Sequence, residues 1–181
     1  MEPVEINAGT WYLRALRADE RIDDRPAVLA SALEPDIVRY RRRPDPTLEA
    51  AGAYVAQRAA AWERDERFTW AVCEPTTGEM VGEVDLSRLD LDRGLAEIGV
   101  WALPPARGRG LAVAAVSSVL RFGFGGLGLH RVTYMWAAGN TASEAVARRC
   151  GFVPEGLLRG AWMIDGAHVD MHVASRLATD R

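Results

Sequence analysis

The densest chemical signal in the chain is Arg107-Gly108-Arg109-Gly110. Two guanidiniums supply forked donors suited to phosphate, and two glycines leave backbone N–H groups open to close approach. Ahead of them, residues 96–101 (Ala-Glu-Ile-Gly-Val-Trp) read as a strand. Behind them, residues 111–124 are apolar except for Ser117, Ser118 and Arg121, a run too long for an ordinary strand and read as a mostly buried helix. A strand therefore feeds a turn that opens a helix, whose first N–H groups lack intrahelical partners and carry partial positive charge. Such a place binds anions, and the ligand it predicts is a phosphate or pyrophosphate. The alternative is a tight turn whose arginines are merely solvated. No Gly-Lys-Ser/Thr ends the loop, so it is not a Walker loop. Val113 stands where a dinucleotide fingerprint has its third glycine.

A second constellation lies at Asn140 and Ser143, where the strand at 131–137 meets another helix. Thr141 and Glu144 read as a capping box, which leaves Asn140 and Ser143 to face a ligand at the helix mouth. The plainer alternative is that they cap the helix themselves. Glu83 and Glu97 lie on strands that flank the expected ligand cleft, and alternation puts Asp85 on the face of Glu83. These carboxylates are candidates for a general base, directly or through water; alternatively they are a solvent-facing pair on a half-buried sheet.

Arg107, Gly110 and Ala112 spell Arg-x-x-Gly-x-Ala, and a strand ending in Asn140-x-x-Ser143 follows, then Gly151-Phe152, Glu155-Gly156-x-x-Arg159, Gly166 and Asp170. This series resembles the GNAT N-acetyltransferases, in particular the RimJ/RimL-type branch that acetylates ribosomal-protein N-termini. The resemblance covers nearly the whole chain. It implies an α/β (α+β) GNAT fold with one mixed, mostly antiparallel seven-stranded sheet flanked by helices, splayed between 95–102 and 131–137. Acetyl-CoA would lie in that cleft as cosubstrate, without a metal. The likeness implies pantetheine against the backbone of Val100, Trp101 and Leu103, and pyrophosphate on the amides of Arg107, Gly108, Arg109, Gly110, Leu111 and Ala112. Asn140 would hydrogen-bond the pantetheine arm, and Ser143 would face the thioester sulfur.

The implied chemistry is direct transfer to an amine in a ternary complex. The N–H of Val100 or Trp101 would stabilise the oxyanion, and Ser143 would donate to the departing sulfur. Many relatives outside the branch use a tyrosine on the last helix for that task, and none lies between Thr141 and Cys150. The acceptor read first is a protein N-terminal α-amine. A small amine (an antibiotic, a polyamine or an amino-acid derivative) is the alternative, and a non-catalytic acyl-CoA sensor is the rival class. A homodimer is expected by family likeness alone.

Elements to position these groups can be read along the chain. Strands are expected at 10–16, 68–74, 80–89 and 95–102, helices at 23–33, 36–43 and 48–66, and a closing hairpin at 152–164 and 167–175. Arg39, Arg41, Arg42 and Arg43 read as a solvated helix face, with contact to a ligand phosphate or polyanion as the alternative.

The length of 181 residues, 49% of them apolar, suits a single domain over 1–181 with a real core. A net charge of −3 argues against generic nucleic-acid binding. All 22 basic residues are arginine, which excludes lysine-based catalysis. Cys73 and Cys150 read as buried free thiols, and His130, His168 and His172 lack metal-ligand spacing. The acidic start Met1-Glu2-Pro3-Val4-Glu5 is unlike a signal peptide, and no apolar run suits a membrane span, so a cytoplasmic location is the expectation.

Overall fold

The structure is a computed structural model that describes residues 1–180. Its strands are β1 (Ile6–Asn7), β2 (Tyr12–Ala15), β3 (Phe68–Cys73), β4 (Met80–Asp90), β5 (Leu95–Ala102), β6 (Arg131–Ala137), β7 (Val153–Ile164) and β8 (Ala167–Leu177). The helices are α1 (Arg25–Leu33), α2 (Pro35–Tyr40), α3 (Leu48–Glu63), α4 (Leu111–Gly125) and α5 (Thr141–Arg149). All eight strands form one sheet, ordered β1-β2-β3-β4-β5-β6-β8-β7. The sheet has one strand more than expected because the segment at 10–16 turns back at Gly9 and pairs with Ile6–Asn7.

Tight turns between β3, β4 and β5 make antiparallel pairs, as short connections must. The α4 crossover reverses the direction, so β6 lies parallel to β5. That pairing runs from Leu95 opposite Arg131 to Ile98 opposite Tyr134 and then stops. Beyond Ile98 the two strands part, and the last part of β5 keeps β4 as its sole strand partner.

Alternation along the central strands divides the core in two. Val84, Leu86, Ile98 and Val132 pack against Ala115, Val116, Val119 and Leu120 of α4. On the opposite face Ala71, Cys73 and Trp101 pack against Val28, Ile37, Tyr54 and Val55 of α1–α3. Asp24 precedes α1 but does not cap it; its carboxylate takes Arg14 in a buried fork at 2.7 and 2.8 Å and the N–H of Arg17 at 2.7 Å. No helix among the described residues is long and apolar enough to cross a membrane.

The outer strand β7 pairs with β8 alone. Glu155 ties it inward, taking both Nη atoms of Arg131 at 2.6 Å and the Ser175 hydroxyl at 2.7 Å. The Arg131 hydrogen bonds, followed by that of Ser175, hold the Glu155 carboxyl down at about 2. A depressed folded pKa stabilises above the ordinary glutamate value and loses that contribution as pH falls toward about 2. Glu155→Gln should therefore flatten the dependence of Tm on pH through that acid range. The effect should be small, because the side chain is 37% exposed and the pair is screened by water. Melts of both proteins between pH 2 and 6, roughly the window where a carboxyl titrates, check this, and parallel curves would count against it.

Candidate active site

The loop between β5 and α4 begins with a short 3-10 turn at Pro104–Ala106. Gly108 and Gly110 follow with φ of +73° and +79°, where side chains are strained, and no atom lies within 4 Å of the place a Cβ would take at either. Gly110 is also the N-cap of α4 and offers no side-chain acceptor, so the N–H groups of Leu111, Ala112 and Val113 have no partner within the helix. The arginines point elsewhere. Arg107 reaches Asp36 at 2.8 Å, Glu34 at 3.2 Å and the carbonyl of Ala102 at 3.1 Å. Arg109 bonds Glu74 at 2.5 Å and lies over the Trp11 ring. The guanidiniums are thus already engaged by carboxylates, and the groups this loop leaves open are backbone amides.

The register of β4 and β5 fixes which backbone groups face the gap between β5 and β6. Leu103 donates its N–H to Val81 at 2.9 Å, and alternation then turns Trp101 and Gly99 toward β4 as well. Val100 and Ala102 face the other way, into the gap. Of the two amides named for oxyanion contact, Val100 is the one turned toward the gap; Trp101 is bound to β4, and its ring is buried against α1–α3.

At the mouth of α5 the N-cap is Asn140, whose Oδ1 accepts the N–H of Ser143 at 3.1 Å. This corrects the capping-box reading: Thr141 is the first helical residue, and Asn140 does the capping. The amide nitrogen of Asn140 remains for the cleft. The Ser143 hydroxyl lies 2.7 Å from the Tyr134 hydroxyl. Tyr134 is 3% exposed, and burial pushes its phenol above the ordinary value, so it stays protonated and able to donate. Sequence reasoning missed Tyr134. Its signal was its parity on the strand at 131–137, which a known register would have turned toward α5.

Tyr134, Asn140 and Ser143 line one cleft of about 420 Å³ with Val100, Gly108, Gly110, Leu111, Ala112 and Arg41. Glu83 and Glu97 are absent from its walls. Glu83 is 1% exposed, accepts from the Tyr54 hydroxyl at 2.8 and 3.0 Å and faces Arg43 at 3.7 Å. Asp85 is held by Arg41 at 2.7 Å and Arg67 at 3.1 Å. Glu97 pairs with Arg88 at 3.4 Å. The two β4 carboxylates are therefore not a solvent-facing pair: helices cover this face of β4, both side chains are buried in ion pairs outside the cleft lining, and that pairing is what makes their burial tolerable.

The same contacts correct the reading of the arginine cluster. Arg41 and Arg43 turn inward after α2, and the Arg43 side chain is 3% exposed. Gly99 makes room for Arg41: a Cβ there would stand 2.6 Å from its guanidinium. Arg39 and Arg42 stay on the surface, near Asp165 and the Trp162 ring. Cys73 and Cys150 are buried; burial pushes the Cys73 thiol up to about 12 and raises that of Cys150, so neither is a ready nucleophile.

Residues 12–153 match the acetyltransferase (GNAT) domain. YdaF of Bacillus subtilis, described provisionally as a ribosomal N-acetyltransferase, is 36% identical over 94 residues, which are 52% of this chain and 51% of YdaF. The match thus spans about half the length of that relative. The uncharacterized N-acetyltransferase YoaA of the same organism is 28% identical over 153 residues, 84% of this chain and 86% of YoaA. Among solved structures, RimL, a ribosomal L7/L12 α-N-protein acetyltransferase in complex with coenzyme A, shares the fold with a TM-score of 0.82 at 23% identity, covering 96% of this chain and 98% of RimL. With the GNAT domain match extending over most of its length, this chain belongs to the GNAT acetyltransferase family.

Proposed function

We propose that this protein moves an acetyl group from acetyl-CoA directly to a primary amine, and that the amine is a protein N-terminus. The observation that carries the reading is the parted β5–β6 pair, with the Val100 amide on one side and the Ser143–Tyr134 hydroxyl pair on the other. The bound cosubstrate supplies the acyl carbon as a thioester. The amides that open α4 hold its pyrophosphate, and the empty space beside Gly108 and Gly110 fits a group that must approach the backbone. Asn140 Nδ2 donates to the pantetheine arm.

The Val100 N–H meets the negative charge that develops on the carbonyl oxygen as the amine nitrogen adds. Ser143 donates a hydrogen bond to the sulfur, which leaves as the thiolate of CoA when the carbon–sulfur bond breaks. Tyr134, a protonated donor behind it, bonds the Ser143 oxygen and so turns the Ser143 proton toward the leaving group. The amine gives up its extra proton to water, since the β4 carboxylates are locked in ion pairs.

That last feature supports the choice of acceptor. An α-amine, with a pKa of about 7.7–8.0, is partly neutral near pH 7, whereas a lysine amine near 10.4 needs a strong base. Peptides with a free N-terminus and no lysine should give kcat/KM at least about tenfold above the same peptides blocked at the N-terminus and carrying lysine. This figure is a conservative share of the difference in neutral amine implied by those pKa values. Steady-state assays on the pair test it, and a preference for the lysine peptide, or for a polyamine over both, would overturn the N-terminal reading.

A further inference from the structure

On the sheet face opposite α4, a second pocket of about 310 Å³ opens between α3, the turn that follows it, and β4. Arg58, Arg64, Arg67 and Arg88 line it with Gln57 and Ser87; Glu66 is the one carboxylate in the lining, and Arg88 also pairs with Glu97 beside the pocket at 3.4 Å. Glu66 is taken by Arg64 at 2.9 Å. Arg58 lies over the Tyr54 ring at 4.3 Å and makes no ion pair among the described residues. Its Nε is buried without a hydrogen-bond partner. Arg67 stands 3.1 Å from Asp85, yet its Nε and the Asp85 Oδ2 are both unsatisfied, because the N–H does not aim at the oxygen. Arg58 thus brings to the pocket a positive charge with no carboxylate partner, and an anion there would compensate it.

The pocket lies on the same face of β4 as Asp85, and Ser87 in its wall pairs with Glu97 of β5. Glu97 is three residues from Val100 along β5, roughly 10 Å at the rise of a strand. An extended peptide covers that span in about three residues.

Resting on the acetyltransferase reading above, we propose that this arginine pocket binds a carboxylate of the acceptor, carried by an acidic residue at about the third or fourth position from the reacting amine. The pocket then selects among N-termini: an acidic acceptor is held at both its amine and its carboxylate. A polycation is repelled at the same place.

The test uses the complex of the full chain with CoA, which binds an acceptor but cannot acetylate it. Calorimetry compares two peptides with free N-termini, Ser-Ala-Ala-Asp-Ala-Ala and the same peptide with Asn for Asp. The acidic peptide should bind about tenfold tighter or more, the scale of one charge-assisted hydrogen bond. In the double variant Arg58→Gln, Arg88→Gln, that difference should shrink to about twofold or less, as expected once the charged donors are gone. Equal binding of the two peptides by the unsubstituted protein would overturn the proposal without recourse to any variant, and so would a preference that survives the double substitution in a folded protein. Assays of the same peptides with acetyl-CoA separate the two readings. A binding preference without acetyl transfer upholds the pocket and refutes the transferase reading; transfer at equal efficiency, with equal binding, refutes the pocket alone.

Discussion

Ser143→Ala should lower kcat on the order of 10²-fold, the low end of general-acid catalysis, while the KM for acetyl-CoA changes little. On the proposed mechanism the Ser143 hydroxyl meets the sulfur only as charge develops there, so its loss weighs on the transition state more than on binding. A thiol with a pKa near 8.5 gives a moderate leaving group, which limits the help needed. The structure separates this role from capping. Asn140 caps α5 through the backbone N–H of Ser143, and alanine retains that N–H. What the variant removes is the partner of the Tyr134 hydroxyl at 2.7 Å. A modest fall in Tm, about 1–3 kcal/mol of lost stability if the phenol finds no other partner, is therefore compatible with the account. Tyr134→Phe should lower kcat less than Ser143→Ala, because the serine still donates but is no longer oriented. Ser143→Cys should recover part of the rate as a weaker donor of similar size. Kinetics beside a thermal melt decides: a Ser143→Ala protein that is destabilised yet fully active would remove the hydroxyl from the mechanism.

Gly110→Val should weaken CoA binding by about 10²-fold or more, roughly 2.7 kcal/mol. Gly110 holds φ of +79° at the N-cap of α4, a conformation that a β-branched residue resists. Its missing side chain also leaves open the approach to the amides of Leu111 and Ala112. Both effects act at the position a pyrophosphate would occupy. Arg107→Ala should cost less, because that guanidinium must leave Asp36 and Glu34 before it serves a phosphate. Calorimetry with CoA and with pantetheine lacking the phosphates checks the assignment. The Gly110→Val loss should be confined to CoA; an equal loss for pantetheine would mean that the loop does not hold phosphate.

The frame of the candidate site, its strand, turn and helix, was legible because local chemistry determines it. The strand, Arg-Gly turn and apolar helix around Gly110 need only short-range signals, and the structure builds α4 from that residue. The strands and helices likewise fall close to their expected places, since hydrophobic spacing reports which faces are buried. What could not be read depends on contacts between distant segments. Arg41 and Arg43 sit in a run that looks solvated, and only the packing of α2 and α3 over β4 turns them toward Asp85 and Glu83. The carboxylates looked available for the same reason. Thr141 and Asn140 are both good caps by type, and the helix start that separates them is a difference of one residue. Tyr134 was hidden by register: its hydroxyl meets Ser143 because the strand at 131–137 lies where β5 and α5 put it.

The central claim is that this chain places an acetyl group on the α-nitrogen of a peptide. Tandem mass spectrometry of a lysine-containing peptide with a free N-terminus, incubated with the protein and acetyl-CoA, tests it most directly. One acetyl group is expected, carried by every fragment that retains the first residue, and formed only when both protein and acetyl-CoA are present. An acetyl group on the lysine side chain, or an unmodified peptide in the presence of protein that binds acetyl-CoA, would contradict it.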